Sequence, residues 1–256
     1  MENKKDLKLA VLIDADNVPY SYVKEMLEEI AKYGTPTFKR IYADWTKPTV
    51  SGWKNVLLEN AITPIQQYSY STGKNSSDST LIIDAMDILY SGKVDGFCIV
   101  SSDSDFTRLA TRLREAGMTV IGIGEKKTLN PFITACDKFI YIEILKPERE
   151  NHIEYDNKKI SKHTRISAKN PLSKIDPKII KLFTDSIADL ADENGWAFLG
   201  ELGNLLLKKK PDFDPRNYGY SKLLPLIKSM NKFTIDERDT GNRNVKHIYI
   251  RKKQDR

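Results

Sequence analysis

The first apolar stretch of the chain reads Leu9-Ala-Val-Leu-Ile-Asp14-Ala-Asp16-Asn17, and a second reads Phe97-Cys-Ile-Val-Ser-Ser-Asp103-Ser-Asp105-Phe106. Each is a short apolar run that stops abruptly at clustered carboxylates, a pattern typical of a buried parallel strand. In open α/β sheets the functional groups lie just beyond the carboxyl ends of the strands. Two strands that both end in Asp-x-Asp therefore predict a crevice lined by several acids.

Acids placed this closely repel one another, and they ionise together only when a cation lies among them. The pattern therefore predicts a divalent-metal site that acts on a phosphate. Asp14 and Asp103 are the first candidate ligands, and Asp105 is the next. Helix capping is the alternative role for these acids. Capping needs only one hydroxyl or carboxylate, however, and both motifs contain several.

Neighbouring polar residues have supporting roles in this prediction. Asn17 would hold a metal-bound water or a phosphate oxygen, whereas the side chain of Asp16 can point away from the site. Ser101 and Ser102 would donate to a phosphate or orient a carboxylate.

Two further acids lie in a helix predicted over residues 78–90. Asp78 stands at its start, where it would either cap the helix or face the site. Asp84 interrupts the apolar run Leu81-Ile82-Ile83. A carboxylate at that position is costly unless it is paired or faces the site.

Strands and helices alternate over residues 1–145, which predicts right-handed crossovers and a parallel sheet covered by helices on both faces. With strand order 3-2-1-4-5, the first and fourth strands are neighbours where the order reverses, and ligands bind at such points. The predicted helices are 20–33, 53–61, 78–90, 106–116 and 131–136. The predicted strands after the first are 37–43, 62–68, a strand ending at Ser101, 118–123 and 139–142.

The two halves of the 256-residue chain differ in net charge. Residues 1–145 carry 17 Lys+Arg and 19 Asp+Glu, a net charge of −2, whereas residues 146–256 carry 24 and 16, a net charge of +8. Residues 146–173 lack apolar periodicity and are interpreted as a linker between domains 1–145 and 174–256. A basic second half favours a polyanionic partner such as nucleic acid, and solvated lysines are the alternative.

Other compositional features exclude several classes of protein. Two cysteines provide neither a disulfide framework nor a zinc motif. No apolar run is long enough to span a membrane, and the opening Met-Glu-Asn-Lys-Lys lacks a signal-peptide core. We therefore expect a cytoplasmic protein, and the oligomeric state stays open.

Three ordered motifs over residues 7–145 resemble the NYN domain family, whose members are relatives of the PIN-domain nucleases and include LabA-like bacterial proteins. They are Ile13-Asp14-x-x-Asn17, then Gly73-Lys74 followed by Asp78 and Asp84, then Ser101-Ser102-Asp103-Ser104-Asp105-Phe106. The resemblance implies a PIN-like metal-dependent ribonuclease that uses Mg²⁺ or Mn²⁺. It further implies that the metal-binding acids are Asp14, Asp78, Asp103 and Asp105.

The same resemblance places Asn17 and Asp84 at recurring family positions. Lys74 stands where the family often has Lys-Gly-Val-Asp. Here Asn-Ser-Ser separates Lys74 from Asp78, so this loop is one residue longer than in the family pattern.

The second half carries its own pattern, three helices followed by two strands, which predicts a small winged-helix α+β domain. Asp176-Pro177 reads as the cap and first residue of a helix that Gly195 ends. Predicted helices at 199–208 and 220–230 follow, and then strands at 233–237 and 247–250. The aromatic residues Trp196, Phe198 and Phe213 are predicted to lie in its core.

Residues 174–252 also resemble the OST-HTH (LOTUS) domain through Trp196-Ala-Phe-Leu-Gly200-Glu-Leu-Gly203 and Pro211-Asp-Phe213-Asp-Pro215. The resemblance implies RNA binding or docking of a protein partner. Phosphate contacts would come from basic residues of this half. The candidates are Lys208, Lys209, Lys210, Lys222, Arg243, Lys246 and Arg251.

The function predicted from these features is that of a metal-dependent endoribonuclease with an attached RNA-binding domain, in which a metal-activated water hydrolyses the phosphodiester bond. One alternative is a catalytically weak adaptor that binds RNA or docks a protein. The other is a phosphohydrolase of the haloacid-dehalogenase type, because Asp14-Ala-Asp16-Asn-Val18 fits its Asp-x-Asp-x-Val motif.

Overall fold

A computed structural model describes residues 6–68, 76–145, 171–239 and 246–253. The chain divides into two units, the first built on a six-stranded sheet and the second on a three-stranded sheet. The strands of the first unit are β1 Lys8–Asp14, β2 Thr35–Ala43, β3 Thr63–Gln66, β4 Gly96–Val100, β5 Thr119–Gly124 and β6 Lys138–Tyr141. All are parallel, in the order β3-β2-β1-β4-β5-β6. The predicted order is confirmed, and the strand predicted at 139–142 lies at the edge next to β5.

The helices of the first unit are α1 Val23–Ile30, α2 Trp53–Glu59, α3 Ser76–Tyr90, α4 Thr107–Glu115 and α5 Asn130–Ala135. Alternate β1 residues, Leu9, Val11 and Ile13, join Met26 and Ile30 in one apolar core. Helix α3 packs against β1 and β2. The helix predicted over 20–33 is shorter because Tyr20–Tyr22 form a 3₁₀ turn and α1 ends at Ile30.

The register of β1 and β4 fixes the position of the predicted crevice. Residues Leu9 to Ile13 pair in parallel with Gly96 to Val100. Asp14, the last residue of β1, and Ser101, the first residue after β4, therefore lie at the same edge of the sheet. The chain runs from β1 outward to β3 on one side and from β4 outward to β6 on the other, so this edge is the point of reversal at which ligands bind in such sheets.

The second unit contains α6 Pro177–Leu190, β7 Ala197–Phe198, α7 Leu199–Lys209 as far as Leu206, α8 Leu223–Met230, β8 Phe233–Asp239 and β9 Lys246–Lys252. Leu207–Phe213 group with the first unit. Its antiparallel sheet has the order β7-β9-β8. The predicted small α+β domain is confirmed. The Asp176 carboxylate accepts a hydrogen bond from the Ile179 backbone N–H at 2.9 Å, so it caps α6 as predicted.

Some local features of the second unit differ from the prediction, and the helix predicted at 220–230 begins only at Leu223. Helix α6 ends at Leu190 rather than at Gly195, because the Asp192 carboxylate accepts the backbone N–H groups of Asn194 and Trp196, each at 2.9 Å, and closes a turn instead. Strand β7 was not predicted, since two residues are too short for a periodic pattern. Among the residues that the structure describes, no helix is long and apolar enough to cross a membrane.

Candidate metal centre

Asp14 is the buried acid at the end of β1, with 1% of its surface exposed. Its carboxylate accepts hydrogen bonds from Asn17 Nδ2 at 2.5 Å, Ser101 Oγ at 2.9 Å and the Asp16 backbone N–H at 3.1 Å. Burial raises the pKa of Asp14, and the bonds from Asn17 and Ser101 oppose that rise. Three donors therefore hold this carboxylate in one orientation.

Ser101 links the ends of the two central strands. Its hydroxyl donates to Asp14 and accepts a hydrogen bond from the Asp103 backbone N–H at 3.0 Å. Asp103 Oδ1 in turn accepts the Asp105 backbone N–H at 2.9 Å and so begins the 3₁₀ turn Ser104–Phe106. Asp103 is thus itself a cap, a role that the sequence left open, and the buried Phe106 secures the turn beneath it.

A cluster of three acids forms where α3 meets the turn after β4. One carboxylate oxygen from each of Asp78, Asp103 and Asp105 lies within 4.8 Å of the others. Asp78 is only 8% exposed. Burial, followed by the negative charges of Asp14, Asp103 and Asp105, raises the pKa of Asp78 to about 6. The negative charge of Asp14 therefore acts on the clustered acid Asp78, in addition to the charges of Asp103 and Asp105.

The chemistry of these donors fits a hard divalent cation. Such cations bind carboxylate oxygens, and the mutual repulsion of the acids falls when a cation lies among them. Mg²⁺ and Mn²⁺ are both cations of this kind. The cluster is thus a candidate metal centre built from Asp78, Asp103 and Asp105, beside the buried Asp14.

Asp84 has a different place in the structure from the clustered acids. Its carboxylate accepts hydrogen bonds from the Arg40 guanidinium and the Tyr42 hydroxyl, and its side chain is 17% exposed. Tyr42 is the residue of β2 that pairs with Asp14 in the sheet. The hydrogen bonds of Asp84 therefore connect α3 to β2. Because Asp78 lies in the first turn of α3, these bonds also help to position Asp78.

The remaining predicted residues are distributed around this centre. Asp16 is exposed, and Asn17 is half-buried against Asp14. The Ser102 hydroxyl accepts the Glu125 backbone N–H at 2.8 Å, so it secures the loop after β5. Lys74 lies outside the described residues.

Sequence reasoning missed Asp44, a buried acid that directly follows β2 and is 7% exposed. Its Oδ1 accepts the Thr46 hydroxyl at 2.6 Å and Gln66 Nε2 at 3.1 Å. The same strand-end signal that indicated Asp14 would have found it. These hydrogen bonds stabilise the loop after β2.

A divalent ion is expected to stabilise the protein more at neutral than at acidic pH. Because the folded-state pKa of Asp78 is about 6 rather than 3.8, the metal-free protein loses stability as pH rises through this interval. A cation that binds the ionised cluster offsets this loss. We expect Mn²⁺ to raise Tm more at about pH 7.5 than at about pH 4.5, and Asp78→Asn to reduce that difference. Equal rises in wild type at the two pH values would contradict the assignment.

Four of the predicted RNA contacts lie around α7 and α8. Lys208 and Lys209 are exposed in the last turn of α7, and Lys222 is exposed just before α8. Lys210 binds the Asp212 carboxylate with Nζ–O distances of 2.7 and 2.9 Å. Its charge is therefore partly neutralised in the free protein.

Two further basic candidates, Lys246 and Arg251, belong to β9 of the small sheet. Lys246 Nζ lies 3.7 Å from a Glu237 carboxylate oxygen. The Arg251 guanidinium lies over the ring of Trp196, 4.5 Å from its centroid. Arg243 falls outside the described residues.

Comparisons with known families agree with this architecture. A model of the NYN domain matches residues 8–143, and a model of the OST-HTH/LOTUS domain matches residues 170–245. No curated protein matches the chain significantly.

Several solved structures are similar to parts of the chain, including three from bacteria. A protein of unknown function from Vibrio parahaemolyticus is 21% identical, covers 56% of this chain and 96% of its own, and has a TM-score of 0.46. An uncharacterized protein from Nitrosomonas europaea is 32% identical over 40% of this chain and 95% of its own, with a TM-score of 0.31. A Chromobacterium violaceum protein is 32% identical over 35% of this chain and 87% of its own, with a TM-score of 0.25.

Proposed function

Because the chain belongs to the NYN domain family, we propose that its first unit is a metal-dependent endoribonuclease and that its second unit binds RNA. The NYN domain is a PIN-like nuclease fold, and OST-HTH/LOTUS domains bind RNA. The proposal rests on one observation. At the point where the strand order of the parallel sheet reverses, one carboxylate oxygen from each of Asp78, Asp103 and Asp105 lies within 4.8 Å of the others. We further propose the boundaries 1–145 and 174–256, with 146–173 as linker.

The proposed ligands of the ion are Asp78, Asp103 and Asp105, with Asp14 beside them. A bound Mg²⁺ or Mn²⁺ ion supplies charge stabilisation at the phosphate and lowers the pKa of water. The protein contributes a fixed arrangement of acids, because Ser101 donates to Asp14 and accepts from Asp103 N–H. Asn17, three residues after Asp14, donates a further side-chain hydrogen bond to its carboxylate.

The phosphohydrolase alternative has less support. It would use Asp14 as a nucleophile, but this carboxylate is 1% exposed and accepts three hydrogen bonds. The adaptor alternative differs from the proposal only in activity. A cleavage assay on labelled structured and unstructured RNA, with Mg²⁺, Mn²⁺ or a chelator, separates the two, since an adaptor leaves RNA intact under every condition.

The basic domain is expected to fold alone and to bind RNA with an affinity that falls as salt rises. Residues 174–256 contain a buried core of their own, which includes Phe183, Leu202 and Ile250. Lysine and arginine contacts with phosphates release counterions, so added salt weakens binding. Titration of each half against labelled RNA at two salt concentrations tests this. Absent or salt-independent binding by residues 174–256 would favour docking of a protein partner.

A further inference from the structure

The three-stranded sheet of the second unit has one covered face and one open face. Ala197 of β7 pairs with Ile250 of β9, which pairs with Ile235 of β8. Ala197 and Ile250 are buried, as is Phe233, whose ring lies 6.3 Å from that of Phe183 in α6. This face packs against the helices. Residues next to these in each strand point to the opposite face, because side chains alternate along a strand.

The open face carries aromatic rings that contact one another at tilted angles. Phe198 of β7 pairs with Tyr249 of β9, and their ring centroids are 5.7 Å apart. The Phe198 ring also lies 5.1 Å from that of His247. Trp196, just before β7, extends the series. Trp196 and Phe198 are half-buried, so the prediction that they lie in the core is wrong for both, whereas Phe213 is buried as predicted.

Two guanidinium groups lie over these rings. Arg238 lies 4.0 Å from the centroid of Tyr249 and 5.6 Å from that of Trp196. Arg251 lies 4.5 Å from the centroid of Trp196 and is exposed. Arg238 also forms an ion pair with Asp236 at 2.8 Å. The open face thus carries both aromatic rings and guanidinium groups.

We propose that this open face, formed by Trp196, Phe198, Tyr249 and His247 with Arg238 and Arg251, is a base-stacking surface for single-stranded RNA. The proposal rests on the RNA-binding role proposed for the second unit and identifies the surface and the form of RNA that it takes. Proteins that bind single strands combine aromatic rings on which bases stack with cations that follow the phosphates. Arginine planes add stacking and cation–π contacts.

Charge favours RNA over a protein partner for this face. Residues 146–256 carry a net charge of +8, which attracts a polyanion. The guanidinium groups of Arg238 and Arg251 lie over the aromatic rings. At this face, phosphates can contact the guanidinium groups while bases contact the rings.

The test uses the full chain in a chelator, so that binding is measured without cleavage. Anisotropy titrations compare labelled oligouridine with an abasic oligoribonucleotide of the same length. Tyr249→Leu should weaken oligouridine binding about ten-fold and leave abasic binding nearly unchanged, since only the former offers bases for stacking. Tyr249→Phe keeps the ring and should bind like wild type. Phe198→Leu is a second variant on a separate strand, in case Tyr249→Leu does not fold.

A charge-matched pair completes the experiment. Arg251→Gln and Lys178→Gln each remove one positive charge, and Lys178 is exposed on α6. Arg251→Gln should weaken binding several-fold more, because it removes a stacked plane as well as a charge. If folded Phe198→Leu and Tyr249→Leu bind oligouridine like wild type, the stacking surface is wrong while RNA binding stands. If wild type binds neither oligomer, the proposed RNA-binding function fails as well.

Discussion

Asp103→Asn is expected to reduce metal-dependent RNA cleavage by at least about a hundred-fold, with little effect on folding. The substitution removes one of three carboxylates that lie within 4.8 Å of one another. The amide oxygen of asparagine can still accept the Asp105 backbone N–H, so the turn at Ser104–Phe106 should persist. Removal of one repelling charge also relieves strain in the metal-free protein.

This prediction is measured as initial cleavage rates at limiting Mn²⁺, with thermal unfolding of both proteins as the check on folding. Asp87→Asn is the matched control, because Asp87 is an exposed aspartate on α3 that belongs to no acid cluster among the described residues. Wild-type cleavage by a folded Asp103→Asn protein would remove Asp103 from the site. A phosphoenzyme trapped on Asp14 would support the phosphohydrolase alternative instead.

Asp84→Ala is expected to lower the free energy of unfolding by about 2–4 kcal/mol. The carboxylate accepts hydrogen bonds from Arg40 and from the hydroxyl of the fully buried Tyr42. Its removal leaves a guanidinium that is 30% exposed and a buried hydroxyl without this acceptor. The contact also fastens α3 to β2, so cleavage should fall through displacement of Asp78 even where the protein remains folded.

Chemical denaturation of wild type and variant measures this loss, and Asp87→Ala on the same helix should change stability by only about 0.5 kcal/mol. Asp84→Asn retains an acceptor oxygen and should cost less than Asp84→Ala. A denaturation midpoint equal to that of wild type in Asp84→Ala would show that α3 is held by its apolar contacts alone.

The sheet could be predicted from the sequence because its signals are local. β1 and β4 are continuous apolar runs that end at acids, and their placement at the centre of the sheet follows from strand–helix alternation. Helix limits were less accurate. Apolar spacing marks the buried face of a helix and not its last hydrogen bond, so the segment predicted over 20–33 extended beyond α1 at both ends.

The partners of individual polar groups could not be predicted in the same way. Asp84 is separated from Arg40 by 44 residues and from Tyr42 by 42, and no local pattern connects them. Ser102 was expected to donate to a phosphate or orient a carboxylate, yet it holds a backbone N–H 23 residues away. Trp196 and Phe198 were predicted to lie in the core. The alternation of side chains along a strand separates the two faces of a small sheet but does not show which face the helices cover.

The most direct test of the central claim is incubation of purified full-length protein with a labelled circular RNA in Mn²⁺ and in chelator. A circle has no ends, so only an endonuclease can open it. We expect the circle to be converted to linear RNA in Mn²⁺ and to stay closed in chelator, and Asp103→Asn should convert it at a strongly reduced rate. A folded wild-type protein that binds the circle but leaves it closed with both Mg²⁺ and Mn²⁺ would contradict the account and identify an RNA-binding adaptor.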